Sequence, residues 1–224
     1  MNVTCVGIIL DGNRRWAKEK GLSKLEGHRA GLLEMFRNTV RFVRDRGIKH
    51  LVVYMFSTEN WNREAAEVSY LMDIFRESIK KEMRELSKEN VRIRFAGQRE
   101  RFSADLQKAM DETERETGGN DAMTLWCCLS YGGRAEIVAA SRAAAAAGEE
   151  ITEETLSRHL WTAGMPDPNI IIRTSGEKRL SNFLPWQSVY SELFFTDTKW
   201  PDFSEKEFDS ILAEFALRER RNGK

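Results

Sequence analysis

Polar stretches that carry arginine follow four short apolar segments of this sequence, and three of the four also contain glycine. These stretches are 11–16, 57–63, 130–134 and 173–181. Arginine presents a rigid fork of N–H donors with a permanent charge, which matches the oxygens of a phosphate group. The glycines beside these arginines let backbone N–H groups come close to an anion. The pattern therefore predicts a site for a diphosphate or a polyphosphate.

Two carboxylates, Asp11 and Glu192, complete the predicted site. Carboxylates repel a diphosphate unless a cation lies between them, and Mg²⁺ is commonly held by one or two carboxylates together with phosphate oxygens and water. We therefore predict that Asp11 and Glu192 bind Mg²⁺. Each residue also has a simpler interpretation. An Asp-Gly pair after a strand is often only a turn, and Glu192 could pair with a nearby arginine for purely structural reasons.

Apolar runs of strand length alternate with longer segments of helical periodicity, and these elements must position the polar stretches. Such alternation is typical of a mostly parallel sheet covered on both faces. The sequence thus predicts an α/β fold, with residues 1–224 forming a single domain around a central six-stranded sheet flanked by helices. Because ligands bind beyond the carboxyl ends of parallel strands, the arginine-rich stretches should converge there. The predicted strands are 3–10, 50–56, 91–96, 123–129, 169–173 and 192–195, and the predicted helices are 30–46, 68–88, 99–117, 135–147, 153–160 and 204–220.

The overall composition narrows the classes of function. Lys plus Arg equals Asp plus Glu at 35 each, so no excess of positive charge favours nucleic acid as a partner. The cysteines Cys5, Cys127 and Cys128 lack the spacing of a zinc site and suit buried, reduced thiols. No apolar stretch approaches the ~20 residues of a membrane span, and no leader peptide is recognisable. We therefore expect a cytoplasmic protein, with contact at a membrane surface left open.

Several enzyme motifs are absent from the sequence. It has no P-loop, no GxGxxG dinucleotide fingerprint, no GxSxG and no HExxH. The aspartate-rich DDxxD motif of trans-type prenyl synthases is missing as well. These absences argue against the usual nucleotide-binding and hydrolytic sites, but they are compatible with an enzyme that acts on diphosphates.

Four ordered motifs resemble those of the cis-prenyltransferases, most closely the bacterial undecaprenyl diphosphate synthase type. They are 9–17 (ILDGNRRWA), 56–63 (FSTENWNR), 172–183 (IRTSGEKRLSNF) and 190–203, which begins YSELFFTD. The resemblance covers nearly the whole chain. It implies an Mg²⁺-dependent transferase that condenses isopentenyl diphosphate onto an allylic diphosphate such as farnesyl diphosphate. It also implies a homodimer, an apolar tunnel, and a product such as undecaprenyl diphosphate, the lipid carrier precursor for cell-wall synthesis.

The resemblance further implies roles for individual residues. Asp11 would contact Mg²⁺ and assist departure of the allylic diphosphate, Asn13 would be placed for proton removal, and Glu192 would complete the metal site. The implied catalytic residues are Asp11, Asn13 and Asn60. Isopentenyl diphosphate would be held by Arg173, Arg179 and Ser181. The other implied substrate-binding residues are Gly12, Arg14, Arg15, Trp16, Lys24, His28, Ser57, Thr58, Glu59, Trp61, Asn62, Arg63 and Glu67.

The length of the product and the role of the chain stay open at this stage. Where the family often has a small residue before Phe56, this sequence has Met55, which predicts a shorter product if the side chain enters the tunnel. A non-catalytic partner subunit of the family and a phosphate-ester hydrolase are the alternatives. The C-terminal stretch 218–223 resembles a tail that can reach a neighbouring active site. Candidate tunnel residues, each equally consistent with packing on the sheet, are Met55, Leu71, Phe75, Ile79, Met83, Leu86 and Met123.

Overall fold

Six parallel strands form the centre of the structure, a computed structural model that describes residues 3–218 apart from the side chain of Glu34. The strands are hydrogen-bonded in the order β3-β4-β2-β1-β5-β6, and every pairing is parallel. All six predicted strands are confirmed, and the sheet is wholly rather than mostly parallel. The strands are β1 (Cys5–Ile9), β2 (His50–Ser57), β3 (Val91–Ala96), β4 (Met123–Tyr131), β5 (Ile170–Arg173) and β6 (Glu192–Phe195).

Both faces of the sheet are buried, which explains why its strands read as continuous apolar runs. In β1, Val6 and Ile8 point into the larger core cluster, whereas Cys5 and Ile9 point into the cluster on the opposite face. Neighbouring residues of a strand face opposite sides, so each strand contributes to both layers. The three cysteines are free and buried, as predicted.

Helices cover the two faces, and three details of their boundaries differ from the prediction. A short helix, α1, was not predicted, and the predicted helix 30–46 is divided at Leu33, whose φ of −112° and ψ of −90° are not helical. The predicted helix 68–88 contains a π-helical turn, Ile79–Met83, between α4 and α5. The helices are α1 (Asn13–Glu19), α2 (Lys24–Leu32), α3 (Glu34–Asp45), α4 (Ala65–Ser78), α5 (Arg84–Lys88), α6 (Ala104–Glu116), α7 (Gly133–Ala146), α8 (Glu153–His159) and α9 (Glu205–Leu217).

The carboxyl ends of β1 and β5 lie side by side and lead to different parts of the sheet. The next strand after β1 is β2, on one side of it, and the next strand after β5 is β6, on the other. In open parallel sheets the crevice at such a switch point is the usual ligand site. Among residues 3–218, no helix is long and apolar enough to cross a membrane.

Candidate active site

Asp11 lies just beyond β1, between two guanidinium groups. Arg173 at the end of β5 donates from Nη2 to Asp11 Oδ2 at 2.8 Å, and Arg15 Nη2 lies 3.5 Å from Asp11 Oδ1. The backbone of Asp11 is fixed by Thr174, whose Oγ1 donates to the Asp11 carbonyl at 2.7 Å and accepts from its amide at 3.0 Å. The Asp11 side chain is still 28% exposed. A carboxylate is therefore held rigidly at the mouth of the crevice and can be reached by a ligand.

The turn at Gly12 brings α1 to this carboxylate. Gly12 has a φ of 106°, and a Cβ there would lie 2.7 Å from Ser175 Oγ, so both the conformation and the space require glycine. Asn13 follows as the first residue of α1, with Nδ2 donating to the Leu10 carbonyl at 3.1 Å. A Cβ at Gly31 would lie 2.0 Å from Asn13 Oδ1, so α2 can pack this closely on α1 only with glycine there.

Two adjoining cavities open at these residues. The first has a volume of about 680 Å³ and includes the cations Arg14, Arg15, Lys18, Lys24 and Arg63 among its lining residues, with Asp11 as its carboxylate. The second has a volume of about 530 Å³. Its polar lining includes Ser57, Glu59, Asn60, Arg173, Ser181 and Asn182, and its apolar lining includes Leu32, Met55 and Leu71. The residues that line both cavities are Leu10, Asp11, Asn13, His28 and Arg63.

A buried carboxylate, Glu67, organises the cations of the first cavity. It is 2% exposed in the first turn of α4 and lies 3.1 Å from both His28 Nε2 and Arg63 Nη1, and 3.3 Å from Lys24 Nζ. Burial lowers the pKa of His28, Arg63 and Arg14 lower it further, and the hydrogen bond to Glu67 only partly offsets them. Glu67 does not line either cavity; it contacts three side chains that line the first one, and its predicted place beside the substrates stays a prediction.

Arg173 connects the second cavity to Asp11. Its guanidinium is 5% exposed, and Nη1 donates to Ser181 Oγ at 2.7 Å and to the Arg179 carbonyl at 2.6 Å. Ser181 has a φ of 49°, in the left-handed region, so its side chain is presented from a constrained turn. Arg173 and Ser181 are therefore brought together as predicted, with one cation available to a second diphosphate.

The segment after β2 supplies the opposite wall of the second cavity. It forms a 3₁₀ turn, Thr58–Asn62, in which Asn60 Oδ1 accepts from the Ser57 amide at 3.0 Å. Trp61 turns away from the cavity, donates from Nε1 to Ser130 Oγ at 2.8 Å, and packs edge-on against Phe56. Thr58 lies against Gly132 and not in the cavity lining. Ser57, Glu59 and Asn60 are thus placed as predicted, and Trp61 supports the turn from behind.

Three further residues of the predicted binding set lie outside both cavities. Trp16 donates from Nε1 to Asp202 at 2.8 Å and faces a groove bordered by Arg29 and Arg37. The Arg179 side chain is 59% exposed and pairs with Glu177 at 2.5 Å, so only its carbonyl reaches Arg173. Asn62 is exposed at the end of the 3₁₀ turn. These three residues lie close in sequence to residues that line the cavities, but their own side chains line neither cavity.

Within one chain the structure does not bring Glu192 and Asp11 together, so their shared metal site stays a prediction. Glu192 begins β6 and is in register with Ile170, which is in register with Val6, five residues before Asp11. At about 3.3 Å per residue the two carboxylates are roughly 16 Å apart along the strands alone. Glu192 instead pairs with Arg218 at 2.8 Å, the structural alternative. Of the tail at 218–223, only Arg218 belongs to the described residues.

The polar residues Lys18, Tyr54 and Asn182 line the cavities but were not predicted from the sequence. The Tyr54 hydroxyl lies 3.2 Å from the carbonyl oxygens of Ser181 and Tyr131, and its ring stacks on Phe183 at 4.8 Å. Asn182 lines the second cavity and bonds to Glu59. Tyr54 lies within the predicted strand 50–56, where its residue type does not indicate a binding role. Asn182 lies within the motif 172–183, but the sequence indicates no role for its side chain.

Asp11 fits a magnesium site that is completed by the substrate. Within residues 3–218, no group of three or more His, Cys, Asp or Glu side chains is arranged to hold a metal ion, so a protein-only centre is not found there. Mg²⁺ often takes one or two carboxylates, with phosphate oxygens and water supplying the other ligands. The exposed Asp11 carboxylate beside a cationic cavity meets that requirement.

Comparison with known proteins agrees with this geometry. The family model described as "Putative undecaprenyl diphosphate synthase" matches residues 9–223. The isoprenyl transferases of Agrobacterium fabrum and Thermotoga maritima are each 45% identical to this chain over 97% of its length, covering 91% and 95% of their own. Among solved structures, lavandulyl diphosphate synthase from Lavandula x intermedia, in complex with dimethylallyl diphosphate, superposes with a TM-score of 0.94 at 33% identity, covering 99% of this chain and 98% of its own. A probable undecaprenyl diphosphate synthase from Campylobacter jejuni gives 0.85 at 29% identity, with both chains fully covered. This chain therefore belongs to the undecaprenyl diphosphate synthase family of prenyltransferases.

Proposed function

We propose that this protein condenses isopentenyl diphosphate onto an allylic diphosphate, farnesyl diphosphate foremost, to form a polyprenyl diphosphate with new cis double bonds. One observation carries the proposal. Two adjoining cavities share Asp11, which lies between Arg15 on one side and Arg173 on the other. A reaction of two diphosphates requires two cationic subsites whose reacting ends meet, and the shared wall provides that meeting point.

The first cavity is assigned to the allylic diphosphate and the second to isopentenyl diphosphate. In the first, Arg14, Arg15 and Lys24 surround the phosphate oxygens, and the amides after Gly12 lie at the start of α1. In the second, Arg173 and Ser181 hold the other diphosphate. Arg179 takes part through its carbonyl, which orients Arg173.

The chemistry follows from this placement. The allylic C–O bond breaks and its electron pair leaves with the diphosphate, whose growing charge is stabilised by the preorganised cations. The π electrons of isopentenyl diphosphate form the new C–C bond. The electrons of a neighbouring C–H bond form the new double bond, and the released proton passes to the departed diphosphate, the base that the reaction itself supplies. Asn13 lines both cavities and Asn60 lines the second, and both would orient the isopentenyl group for that proton loss. Alignment of two bound partners is worth up to about 7–11 kcal/mol in well-oriented systems.

Mg²⁺ is part of the proposal. Asp11 would hold it together with diphosphate oxygens, and when bound the ion would neutralise negative charge on the departing diphosphate. Arg173 fixes the direction of the Asp11 carboxylate through their 2.8 Å contact. Glu192 of the same chain has no part in this assignment.

The product is proposed to be a long polyprenyl diphosphate such as undecaprenyl diphosphate, a lipid carrier precursor for cell-wall synthesis made in the cytoplasm and released at the membrane surface. The description of the family model and the name of the Campylobacter jejuni protein, which both give undecaprenyl diphosphate synthase, support this choice. A shorter chain is favoured by Met55, which is 8% exposed and lines the second cavity beside Leu71. The lavandulyl diphosphate synthase structure holds the short dimethylallyl diphosphate.

The test is elongation by the purified chain with radiolabelled isopentenyl diphosphate, farnesyl diphosphate and Mg²⁺. We expect an extractable long prenyl product. Asp11→Asn keeps a hydrogen bond to Arg173 but removes the charge, so elongation should fall about a hundredfold or more. Free phosphate without elongation would indicate a hydrolase, and neither product would indicate a non-catalytic subunit. Near-normal elongation by the Asp11→Asn variant would show that the assigned role of Asp11 is wrong.

A further inference from the structure

Asn182 joins three segments that meet at the second cavity. Its carbonyl accepts from the Gly133 amide at 2.8 Å, its Oδ1 accepts from the Arg134 amide at 2.9 Å, and its Nδ2 donates to Glu59 Oε1 at 3.1 Å. The preceding residue, Ser181, receives the hydrogen bond from Arg173. The turn that carries Ser181 is therefore tied both to α7 and to the 3₁₀ turn that carries Glu59.

The start of α7 depends on Asn182 for its hydrogen bonds. The N-cap residue, Gly132, has no capping side chain, and the first amides of a helix lack partners within the helix. Asn182 supplies acceptors for the first two of these amides from a distant part of the sequence. A Cβ at Gly132 would lie 2.7 Å from Asn182 Nδ2 and 2.6 Å from Thr58 Oγ1, so the glycine allows this close approach. The polar stretch 130–134 thus has a positioning role.

The conformation and charge of the contact both suit asparagine. Asn182 has a φ of 70°, a left-handed conformation that asparagine and aspartate tolerate better than other side chains. Burial alone would raise the pKa of Glu59, but hydrogen bonds from its own amide, Ser57, Asn182 and Thr58 outweigh burial and lower it. The partner of Asn182 Nδ2 is therefore an ionised carboxylate, and the hydrogen bond between them is charge-assisted.

We propose that Asn182 is a positioning residue for the condensation, which holds Ser181 at a fixed distance from the turn carrying Glu59 and Asn60. The proposal rests on the proposed prenyl transfer. Asn182 acts through these residues: it sets the spacing between the group that holds isopentenyl diphosphate and the residue assigned to its proton loss.

The first test is Asn182→Asp. Aspartate accepts the backbone conformation and keeps an acceptor for the Arg134 amide, but it places a second carboxylate against Glu59. Because repulsion replaces a charge-assisted hydrogen bond, kcat/KM for isopentenyl diphosphate should fall about tenfold or more. The KM for the allylic diphosphate, bound in the first cavity, should stay near the wild-type value.

A double variant and a glycine variant sharpen the test. In Asn182→Asp with Glu59→Gln, the new amide donates to the new carboxylate, so the contact is restored with donor and acceptor exchanged, and most of the lost kcat/KM should return. Asn182→Gly fits the left-handed backbone and removes both side-chain bonds. It should lower kcat/KM for isopentenyl diphosphate without being rescued by Glu59→Gln, and it remains informative if the aspartate variant does not fold.

Asn90 offers a matched control. It has a φ of 62° and donates from Nδ2 to Asp121 at 2.8 Å, just before β3 at the other end of the sheet. Asn90→Asp makes the same chemical change, so it should alter thermal stability while leaving kcat/KM unchanged. Wild-type kcat/KM in the Asn182 variants, or no recovery in the double variant, would overturn the positioning role. An inactive wild-type chain would instead refute the proposed function itself.

Discussion

The guanidinium of Arg173 joins the two halves of the site. It is almost fully buried, and its donors are directed to Asp11, to Ser181 and to the Arg179 carbonyl. A buried cation is tolerated only when it is paired and hydrogen-bonded, and here the pairing carboxylate is the residue assigned to the metal. The planar fork makes all of these contacts at once, which a lysine could not do. The position of Asp11 and the position of the isopentenyl diphosphate site are therefore set by one side chain.

His28 is expected to make the free energy of unfolding depend on pH. Burial lowers its pKa, with Arg63 and Arg14 acting in the same direction and Glu67 opposing them. An unfolded histidine takes up a proton near pH 6.5, whereas folded His28 does so only at lower pH. The unfolded state therefore binds more protons in this window, and the free energy of unfolding should decrease as the pH falls below about 6.5.

The measurement is urea unfolding of wild type and His28→Gln at pH 7.5 and pH 5.5. Glutamine keeps a donor for Glu67 but does not titrate, so the variant should lose less stability on acidification than wild type. The pKa of His50 is also lowered, first by burial and then by Arg92, and this contribution is common to both proteins. An equal loss of stability in the two proteins would contradict the assigned effect of His28.

At the scale of elements, we propose that the apolar stripe of α4 and the π-helical turn limits the length of the product. Leu71 lines the second cavity with Met55, while Phe75, Ile79 and Met83 continue along the same helix and are buried in the core. Only two of the seven candidate tunnel residues therefore meet the cavity in this structure, and the tunnel itself stays a prediction. A lengthening chain would have to separate α4 from the sheet beyond Met55.

We expect Met55→Ala to lengthen the product by one or more isoprene units, because it removes the side chain at the base of the second cavity. Its matched control is Met110→Ala, since Met110 is fully buried in α6, lies in the core and is not a candidate tunnel residue. Both variants should lose about 2–5 kcal/mol of stability. Thin-layer chromatography of the extracted products measures the outcome. An unchanged product length for Met55→Ala would rule out this residue as a length determinant.

The sequence predicts which helices and strands form better than it predicts the residues at which they begin and end. All six strands follow from continuous apolar runs, because burial on both faces leaves no other pattern. Gly31 lies two residues before the break at Leu33, but it is itself helical and does not mark the boundary. The π-helical turn contains neither glycine nor proline. Both features therefore depend on tertiary packing. Glu192 shows a different limit: the bounds of its strand were predicted correctly, but the metal assignment did not take into account that the first residue of a parallel strand lies at the end opposite to Asp11.

At the scale of the whole molecule, the edge beside β6 bears exposed apolar side chains. Val189 and Leu217 are 69% and 85% exposed. Val189 lies shortly before Glu192, the first residue of β6, and Leu217 lies next to Arg218, which pairs with Glu192. Exposed apolar groups next to an unpaired strand edge are typical of a surface covered by another chain. The homodimer implied by the family resemblance would bury this surface.

We therefore predict a sedimentation-equilibrium mass of twice 25.9 kDa for the wild-type chain. Val189→Asp introduces a charge that must be desolvated if this surface is buried between two chains, so the variant should shift toward the monomer. Ile151→Asp is the matched control, because Ile151 is 54% exposed in the segment before α8, away from β6, and its substitution should leave the mass unchanged. A monomeric wild type would contradict the dimer. A dimer that persists in Val189→Asp would show that the interface lies elsewhere on the surface. Burying an unpaired carboxylate costs enough free energy to weaken a packed interface measurably.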